Sequence, residues 1–342
     1  MHLTDPQTRI FVAGHRGLVG SAVADRLAQA GFSNLLVRTR RELDLRSQAA
    51  VQAFFQGERP QVVVLAAAKV GGILANDRYP ADFLGQNLEI QNNVIGAAHA
   101  AGVERLIFLG SSCIYPKHAP QPMKEEHLLT GPLEPTNQWY AVAKIAGLMY
   151  TEALRRQHGA DYWSLMPTNL YGPGDNFDLE TSHVLPALIR KFHEAKGAGA
   201  DGKGIDGTRG HGKDAPVTLW GTGSPRREFL YNQDLADAVV HVLQTPGERL
   251  AEVAPDGILN VGVGEDISIR ELAELVRRVV GGEGEIVLDT SKPDGTPRKL
   301  LDVSRMKALG WTAPTGLEEG VRRTYEWYRR AEPEGEGERE RA

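Results

Sequence analysis

The sequence contains a single cysteine, Cys113, and has no hydrophobic run long enough to cross a bilayer. One cysteine cannot form an internal disulfide bond, and a membrane-spanning helix needs about 20 apolar residues. The first eight residues carry neither the basic nor the apolar segment of a secretory signal. We therefore expect a cytoplasmic protein with no membrane partner.

The charge balance limits the class of partner. The chain has 39 Lys and Arg against 44 Asp and Glu, which gives a net charge of -5. Proteins that bind nucleic acid usually present a basic face, so we expect no nucleic-acid partner. A phosphorylated small ligand stays compatible with this charge, because a few local arginines can bind phosphate. No metal site is predicted.

Short β-branched segments alternate with longer helical patterns in the first half of the chain. The predicted strands cover residues 9–13, 34–38, 61–66, 105–110 and 161–166. The predicted helices cover residues 18–30, 47–56, 82–101 and 138–158. This alternation predicts a parallel sheet with helices on both faces. The expected fold class is α/β, a Rossmann-type doubly wound parallel sheet with a smaller C-terminal α/β substrate lobe.

The alternation loosens after residue 170. Further helices are predicted at 184–195, 234–244, 269–280 and 317–330, and further strands of the smaller lobe at 217–220 and 258–261. We interpret residues 1–170 as a nucleotide-binding domain to which the chain returns around 221–245, and 171–331 as mainly the substrate-binding lobe. Residues 195–216 hold seven glycines and predict a mobile insertion. The charged tail 332–342 is predicted to be disordered.

A glycine-rich segment follows the first predicted strand and precedes a helical pattern. Glycine is needed where a turn is tight and where the backbone approaches a pyrophosphate. The helix that follows offers free N–H groups to the phosphates. A plain strand–helix turn is the simpler alternative, but the context favours a dinucleotide site. Its predicted residues are Gly14, His15, Arg16, Gly17, Leu18, Val19 and Gly20.

The end of the second predicted strand indicates which dinucleotide binds. A site for NAD usually has an acidic residue there, which binds the ribose 2′-hydroxyl. This sequence has Arg40 at that position, and Arg16 lies inside the glycine loop. Two guanidinium groups can hold a 2′-phosphate with charge-assisted hydrogen bonds. A solvated basic turn is the alternative, and we predict NADP(H).

Tyr140 and Lys144 stand four residues apart, so on a helix they lie on one face. A nearby ammonium group favours the phenolate, so we expect Lys144 to lower the pKa of Tyr140. The tyrosine could then transfer a proton near neutral pH, as carbonyl reduction requires. Ser111 follows the fourth strand, where ligands of open α/β sheets bind. A core tyrosine beside a surface lysine is the alternative.

The glycine loop, the serine after strand four and the Tyr-x-x-x-Lys pair together resemble the extended short-chain dehydrogenase/reductase family. Residues 66–73, 110–117, 134–137, 166–173 and 291–302 resemble one bifunctional branch of that family. The resemblance covers about residues 9–330. It implies a homodimer that epimerises C3 and C5 of the GDP-sugar GDP-4-keto-6-deoxy-D-mannose, and then reduces C4 with NADPH.

The resemblance also implies a role for each catalytic residue. Cys113 would be the base and His183 the acid of the epimerisation. Tyr140 would protonate the C4 oxygen, Lys144 would hold the nicotinamide ribose, and Ser111 would polarise the C4 oxygen. A thiol and an imidazole both transfer protons near neutral pH. From the sequence alone, a lone free cysteine is more often a small buried hydrophobic residue.

The same resemblance implies the binding residues. Beyond the glycine loop and Arg40, the implied cofactor contacts are Leu109, Gly110, Lys144, Pro167, Asn169, Leu170 and His183. The implied substrate contacts are Lys191, Trp220, Arg227 and Asp294. Lys191 departs from the family pattern, which often has an arginine there. A lysine keeps the charge but loses the bidentate geometry.

Two other functions compete with this interpretation. The first is a redox-neutral nucleotide-sugar epimerase or dehydratase of the same superfamily. Its dehydratases typically have a glutamate after the catalytic hydroxyl residue, where this chain has Ser112 and Cys113. The second is a non-catalytic NADP-binding sensor, a class that often lacks the Tyr–Lys pair. The apolar face Ile145, Leu148 and Met149 fits either a dimer interface or the core.

Overall fold

The computed structural model describes residues 4–179, 181–196, 214–292 and 294–331. Residues 197–213 of the predicted insertion and the whole predicted tail, 332–342, lie outside this part of the chain. The strands are β1 Ile10–Ala13, β2 Leu35–Leu36, β3 Val62–Leu65, β4 Arg105–Leu109, β5 Asp161–Pro167, β6 Asn169–Tyr171, β7 Val217–Trp220, β8 Arg226–Arg227, β9 Phe229–Tyr231, β10 Ile258–Val261, β11 Ile267–Ser268, β12 Ile286–Asp289 and β13 Arg298–Lys299.

The described helices include the eight that the sequence patterns predict and three short ones that they do not, at 73–78, 247–253 and 304–308. They are α1 Leu18–Gln29, α2 Gln48–Glu58, α3 Ile73–Arg78, α4 Pro80–Ala100, α5 Gln138–His158, α6 Val184–Ala195, α7 Asn232–Gln244, α8 Gly247–Val253, α9 Ile269–Val280, α10 Ser304–Ala308 and α11 Leu317–Ala331. Helix α5 ends at Gly159, which adopts the left-handed conformation that glycine tolerates without strain.

The main sheet has six parallel strands in the order β10-β5-β4-β3-β1-β2. Every residue of β1, β3 and β4 is buried, because helices cover both faces of the sheet. Helices α1 and α7 share one hydrophobic core with the sheet, and α2, α4 and α5 share the other. The predicted doubly wound Rossmann-type sheet is confirmed.

The strand at residues 258–261 is not in the smaller lobe, where the sequence interpretation placed it. As β10 it pairs with β5 and forms one edge of the main sheet. The sequence pattern identifies a buried strand but carries no information about which sheet it joins. The predicted strand at 34–38 is also shorter than expected, since only Leu35 and Leu36 pair with β1.

Smaller sheets and three helices build the second lobe. Strand β7 pairs with β12, β6 pairs with β9, and β8 lies between β11 and β13. Helices α6, α9 and α11 pack into a separate hydrophobic core that includes Phe192 and Val276. In the described part of the chain, no helix is long and apolar enough to span a membrane.

Candidate active site

The glycine loop after β1 forms a cradle with no room for side chains at two positions. Gly14 has a left-handed φ of 89°, and a Cβ there would lie 2.7 Å from the backbone nitrogen of Ala67. A Cβ on Gly20 would lie 2.0 Å from the carbonyl oxygen of Gly14. Gly17 is the N-cap of α1, whose first turn contains Leu18 and Val19. The loop therefore fits a pyrophosphate at the start of α1.

Arg16 and Arg40 are both exposed, at the edge of the sheet where the adenosine ribose of a dinucleotide would lie. The neighbouring Arg38 is already engaged, because it pairs with Glu58 and lies over the ring of Phe54. Arg16 and Arg40 are thus the arginines that suit a 2′-phosphate. His15, between the glycines, is half-buried, and burial lowers the pKa of its imidazole.

Lys144 is buried on helix α5. Its ammonium donates a hydrogen bond to the carbonyl oxygen of Leu109, 2.8 Å away, at the end of β4. The Nζ atom also lies 5.7 Å from the centre of the Tyr140 ring. Burial lowers the pKa of Lys144 to about 8, and the nearby Cys113 opposes this change. The predicted Tyr–Lys pair therefore lies at the carboxyl edge of the sheet.

The pKa of Tyr140 moves in the direction opposite to our expectation. Burial raises the pKa of this phenol well above its ordinary value, and the proximity of the Cys113 thiol adds to the rise. The Lys144 ammonium points to Leu109 rather than to the hydroxyl, so desolvation dominates. Tyr140 is therefore a phenol near neutral pH, which is the form that donates a proton.

A short 3-10 turn after β4 carries the Ser111–Cys113 pair. The Ser111 hydroxyl accepts a hydrogen bond from the Cys113 amide at 3.3 Å, and the turn packs against α5. Burial raises the pKa of the Cys113 thiol, while Ser111, Lys299 and Lys144 each lower it. On balance the pKa of the thiol is raised, so burial disfavours the thiolate more than the neighbouring lysines favour it.

His183 is the N-cap residue of α6, in the second lobe. Its side chain is exposed, yet surrounding protein lowers the pKa of the imidazole by desolvation. A side chain that solvent reaches and that nearby protein atoms also desolvate, as here for His183, is typical of the wall of an open cleft. Tyr140 is likewise half-buried and strongly desolvated.

The end of β5 and the segment after it contain three of the implied cofactor contacts. Pro167 ends β5, and Asn169 and Leu170 form β6. The Asn169 side-chain amide donates to the carbonyl oxygen of Glu228 at 2.8 Å. A Cβ on Gly110 would lie 2.3 Å from the Met166 methyl group, so the end of the Met166 side chain would have to move to accommodate it.

The four implied substrate contacts come from the second lobe. Arg227 is half-buried, and its Nη1 donates to the carbonyl oxygens of Arg226 and Thr296. Lys191 donates to the Thr218 carbonyl oxygen at 3.1 Å. Trp220 is 56% exposed at the end of β7, and the Lys292 ammonium lies 5.7 Å from the centre of its ring.

Asp294 is held differently from our expectation of a direct ligand contact. Its two carboxylate oxygens accept hydrogen bonds from the amide and the hydroxyl of Thr222, at 2.9 and 2.7 Å. This arrangement fixes the turn after Trp220. The remaining lone pairs of the carboxylate still allow a ligand contact.

Two residues of this region were not singled out from the sequence. Lys299 is paired in register with Arg227, and its charge interacts with Cys113. Glu228 is fully buried, and its carboxylate accepts from the amides of Val263, Gly264 and Leu301. The sequence signal that could have identified Glu228 is its position as an acidic residue directly before the apolar strand β9. The described residues contain no cluster of three or more side chains suited to a metal ion.

Comparisons with known proteins agree with this site. Residues 10–262 match the model of the NAD dependent epimerase/dehydratase family. The chain is 56% identical to GDP-L-fucose synthase 1 of Arabidopsis thaliana over 326 residues, covering 95% of this chain and 94% of the relative. It is 53% identical to GDP-L-fucose synthase of Escherichia coli K12 over 323 residues, covering 94% and 96%.

A solved structure agrees as well. The structure of a GDP-mannoheptose C4 reductase from Campylobacter jejuni with NADP bound has a TM-score of 0.84 and 39% sequence identity to this chain. The match covers 96% of this chain and 100% of that one. The similarity therefore extends over both lobes.

Proposed function

The chain belongs to the NAD dependent epimerase/dehydratase family, and from this we propose that it is an NADPH-dependent enzyme that converts GDP-4-keto-6-deoxy-D-mannose to GDP-L-fucose. The observation that carries the proposal is the presence of Cys113 beside the Tyr140–Lys144 pair. The charge of Cys113 acts on the pKa of both Tyr140 and Lys144, so the three groups are close to one another. A reductase alone would need only the pair.

The first part of the reaction inverts C3 and C5 of the sugar. Both carbons are α to the C4 ketone, so their protons are acidified. The Cys113 thiolate removes a proton from one face, and His183 returns a proton to the other face. Lys144 and Lys299 both lower the pKa of Cys113, which opposes the cost of burying the thiolate.

The second part reduces the C4 ketone. When bound, NADPH supplies the hydride for this step. Tyr140 is protonated because burial raises its pKa, so it donates its proton to the C4 oxygen. Ser111 lies after the same strand end and orients the C4 oxygen by a hydrogen bond. Lys144 is fixed to Leu109 by a hydrogen bond and would hold the nicotinamide ribose of the bound cofactor.

The residues of the cleft fit both ligands. Gly14, Gly17 and Gly20 leave room for the cofactor pyrophosphate, and Arg16 and Arg40 bind the 2′-phosphate. The Pro167–Leu170 backbone, together with Leu109 and Gly110, would hold the nicotinamide end of the cofactor. On the substrate side, Arg227 and Lys191 bind the diphosphate, Trp220 stacks on the base, and Asp294 contacts the sugar nucleotide or fixes the turn beside it.

The assembly and the location complete the proposal. We propose a homodimer formed through α4 and α5. Ile145 and Leu148 belong to the core, whereas Trp139, Val142 and Met149 form an exposed apolar stripe along α5. The expectation of a cytoplasmic enzyme stays a prediction.

The test is to incubate the protein with GDP-4-keto-6-deoxy-D-mannose and NADPH, to follow the NADPH absorbance, and to identify the sugar by NMR. We expect stoichiometric NADPH oxidation and GDP-L-fucose. Turnover of the sugar without NADPH oxidation would favour the redox-neutral alternative. Cofactor binding without any turnover of the sugar would favour the sensor.

A further inference from the structure

His183 has to return a proton to one defined face of the sugar, yet its ring has no hydrogen bond within the described residues that would orient it. Within the described residues the imidazole makes no hydrogen bond, and it provides no cap for α6. Its backbone is extended, with φ of -78° and ψ of 167°. The position of the ring therefore depends on the backbone that leads into α6.

That backbone is a tight turn organised by Asp178. The Asp178 carboxylate accepts from the Thr181 amide at 2.9 Å and from the Thr181 hydroxyl at 2.8 Å. The Ser182 amide donates to the Asp178 carbonyl oxygen at 2.9 Å. These bonds make the turn rigid internally, but they do not fix it relative to the half of the protein that carries Cys113.

A contact from the Rossmann half supplies that connection. The Gly72 amide donates to the carbonyl oxygen of Thr181 at 3.1 Å. A Cβ on Gly72 would lie 3.1 Å from the Ser182 carbonyl oxygen and 3.2 Å from that of Thr181. A side chain at position 72 would therefore push the Thr181–Ser182 backbone away by a few tenths of an ångström. Gly72 has an ordinary φ of -63°, so the need for glycine comes from this approach and not from backbone strain.

Asn76 holds Gly72 in place from the other side. Its side chain is 5% exposed, and its amide nitrogen donates to the carbonyl oxygens of Gly71 and Gly72, at 2.8 and 3.0 Å. The Asn76 backbone amide also donates to the Gly72 carbonyl oxygen. A buried amide of this kind fixes a loop, because leaving the two carbonyl groups unpaired costs free energy.

We propose that Gly72 and Asn76 are positioning residues for His183. They form a chain of contacts, Asn76 to Gly72 to Thr181, that sets the distance between the proton donor of one lobe and Cys113 of the other. They touch neither the sugar nor the cofactor. The inference rests on the proposed function, because it assigns them to the epimerisation and not to the reduction. Misplacing a reacting group by about 1 Å can lower a rate by about 100-fold.

The test is a double-mutant cycle on the inversion of C3 and C5, followed by NMR in D₂O without NADPH. We expect Asn76→Ala to lower the inversion rate by about 10-fold or more. In a His183→Gln background the same substitution should lower the residual rate by less than about twofold, since it acts only through His183. Asn76→Ala should not change the affinity for NADPH, measured by fluorescence, in either background.

Asn93→Ala is the matched control. Asn93 is half-buried, and its side-chain amide donates to the carbonyl oxygen of Leu45, away from His183. The control should keep the wild-type inversion rate. An equal loss from Asn76→Ala with and without His183 would overturn the proposal, because it would indicate general structural damage. An unchanged rate in Asn76→Ala would also overturn it.

Gly72→Ala offers a second variant if Asn76→Ala does not fold. It should lower the inversion rate in the wild-type background but much less in the His183→Gln background. Gly57→Ala is its control, because Gly57 lies on helix α2 with open space around the added Cβ, and this variant should keep the wild-type rate. Wild-type protein that performs no inversion at all would reject the proposed function, and the positioning role with it. If the wild-type protein performs the inversion, but the effects of the Asn76 or Gly72 substitution and of His183→Gln are additive, only the positioning role is rejected.

Discussion

The Lys144 ammonium and the Leu109 carbonyl oxygen are joined by a hydrogen bond of 2.8 Å between helix α5 and the end of strand β4. Tyr140 lies one helical turn before Lys144, so this bond also fixes the phenol relative to the carboxyl edge of the sheet. The Ser111–Cys113 turn begins two residues after Leu109. One buried bond therefore sets the geometry of the groups that serve both halves of the proposed reaction.

The affinity for NADPH should fall at alkaline pH. Burial lowers the pKa of Lys144 to about 8, so the ammonium is present below this pH and is lost as the pH rises through it. Losing a charged hydrogen-bond donor costs about 1.5–3 kcal/mol, which corresponds to about 10- to 100-fold in the dissociation constant. Fluorescence titrations between about pH 7 and pH 10 would measure the change. The Lys144→Met variant should bind NADPH weakly, and its affinity should not depend on pH over this range. An NADPH affinity of the wild-type protein that stays constant with pH would contradict the role of the Lys144 ammonium.

Tyr140→Phe should separate the two activities. Without the phenol no proton reaches the C4 oxygen, so NADPH oxidation should fall by about 100- to 10,000-fold, the usual contribution of general acid catalysis. The Cys113 turn is untouched, so solvent deuterium should still enter C3 and C5. Stopped-flow absorbance and NMR measure the two rates. Full NADPH oxidation in this variant would mean that another group protonates C4.

Cys113→Ser should have the complementary effect. A serine hydroxyl is far less acidic than a thiol, so proton removal from C3 and C5 should stop. NMR in D₂O should then detect no deuterium at either carbon, while NADPH binding remains intact. Deuterium uptake at the wild-type rate would remove Cys113 from the mechanism and leave it as a buried core residue.

Arg40→Ala should discriminate between the cofactors. The guanidinium is exposed and suited to bind the 2′-phosphate, which NADH lacks. We expect the affinity for NADPH to fall by about 10-fold or more and the affinity for NADH to stay within about twofold. Arg41→Ala, at the neighbouring exposed position, is the control. Equal weakening of both cofactors would exclude a 2′-phosphate contact.

Val142→Asp should weaken the proposed dimer. Val142 is 43% exposed and lies on one face of α5 with Trp139 and Met149. A charge buried in an apolar interface is strongly unfavourable. Analytical ultracentrifugation should show a shift toward monomer, and Arg156→Asp, further along α5, serves as a control at an exposed charged position. A wild-type protein that sediments as a monomer would contradict the dimer directly.

Much of the fold follows from local patterns. The glycine loop, the buried strand Val62–Leu65 and the Tyr140–Lys144 spacing are all short-range features, and the six-stranded sheet has the predicted class. The position of β10 could not be predicted, because pairing with β5 is a contact between residues about a hundred positions apart. Such contacts leave no mark on the periodicity of either strand.

The electrostatics of the site were harder to predict than its composition. Spacing alone placed Lys144 beside Tyr140 and led to the expectation of a lowered phenol pKa. Burial reverses that direction, and burial depends on the whole fold. Glu228 illustrates the same limit, since three amides from two distant segments, 263–264 and 301, meet its carboxylate only after folding.

The edge position of β10 has a consequence for how the protein forms during synthesis. The chain emerges from the ribosome with its N-terminus first. Strand β10 ends at Val261 of 342 residues, so it becomes available long after β5. Until then β5 presents an unpaired apolar edge, which is a site for aggregation. A fragment ending near residue 170 would carry every residue of the glycine cradle and the Tyr140–Lys144 pair, and would still be expected to need a chaperone or the rest of the chain to remain soluble.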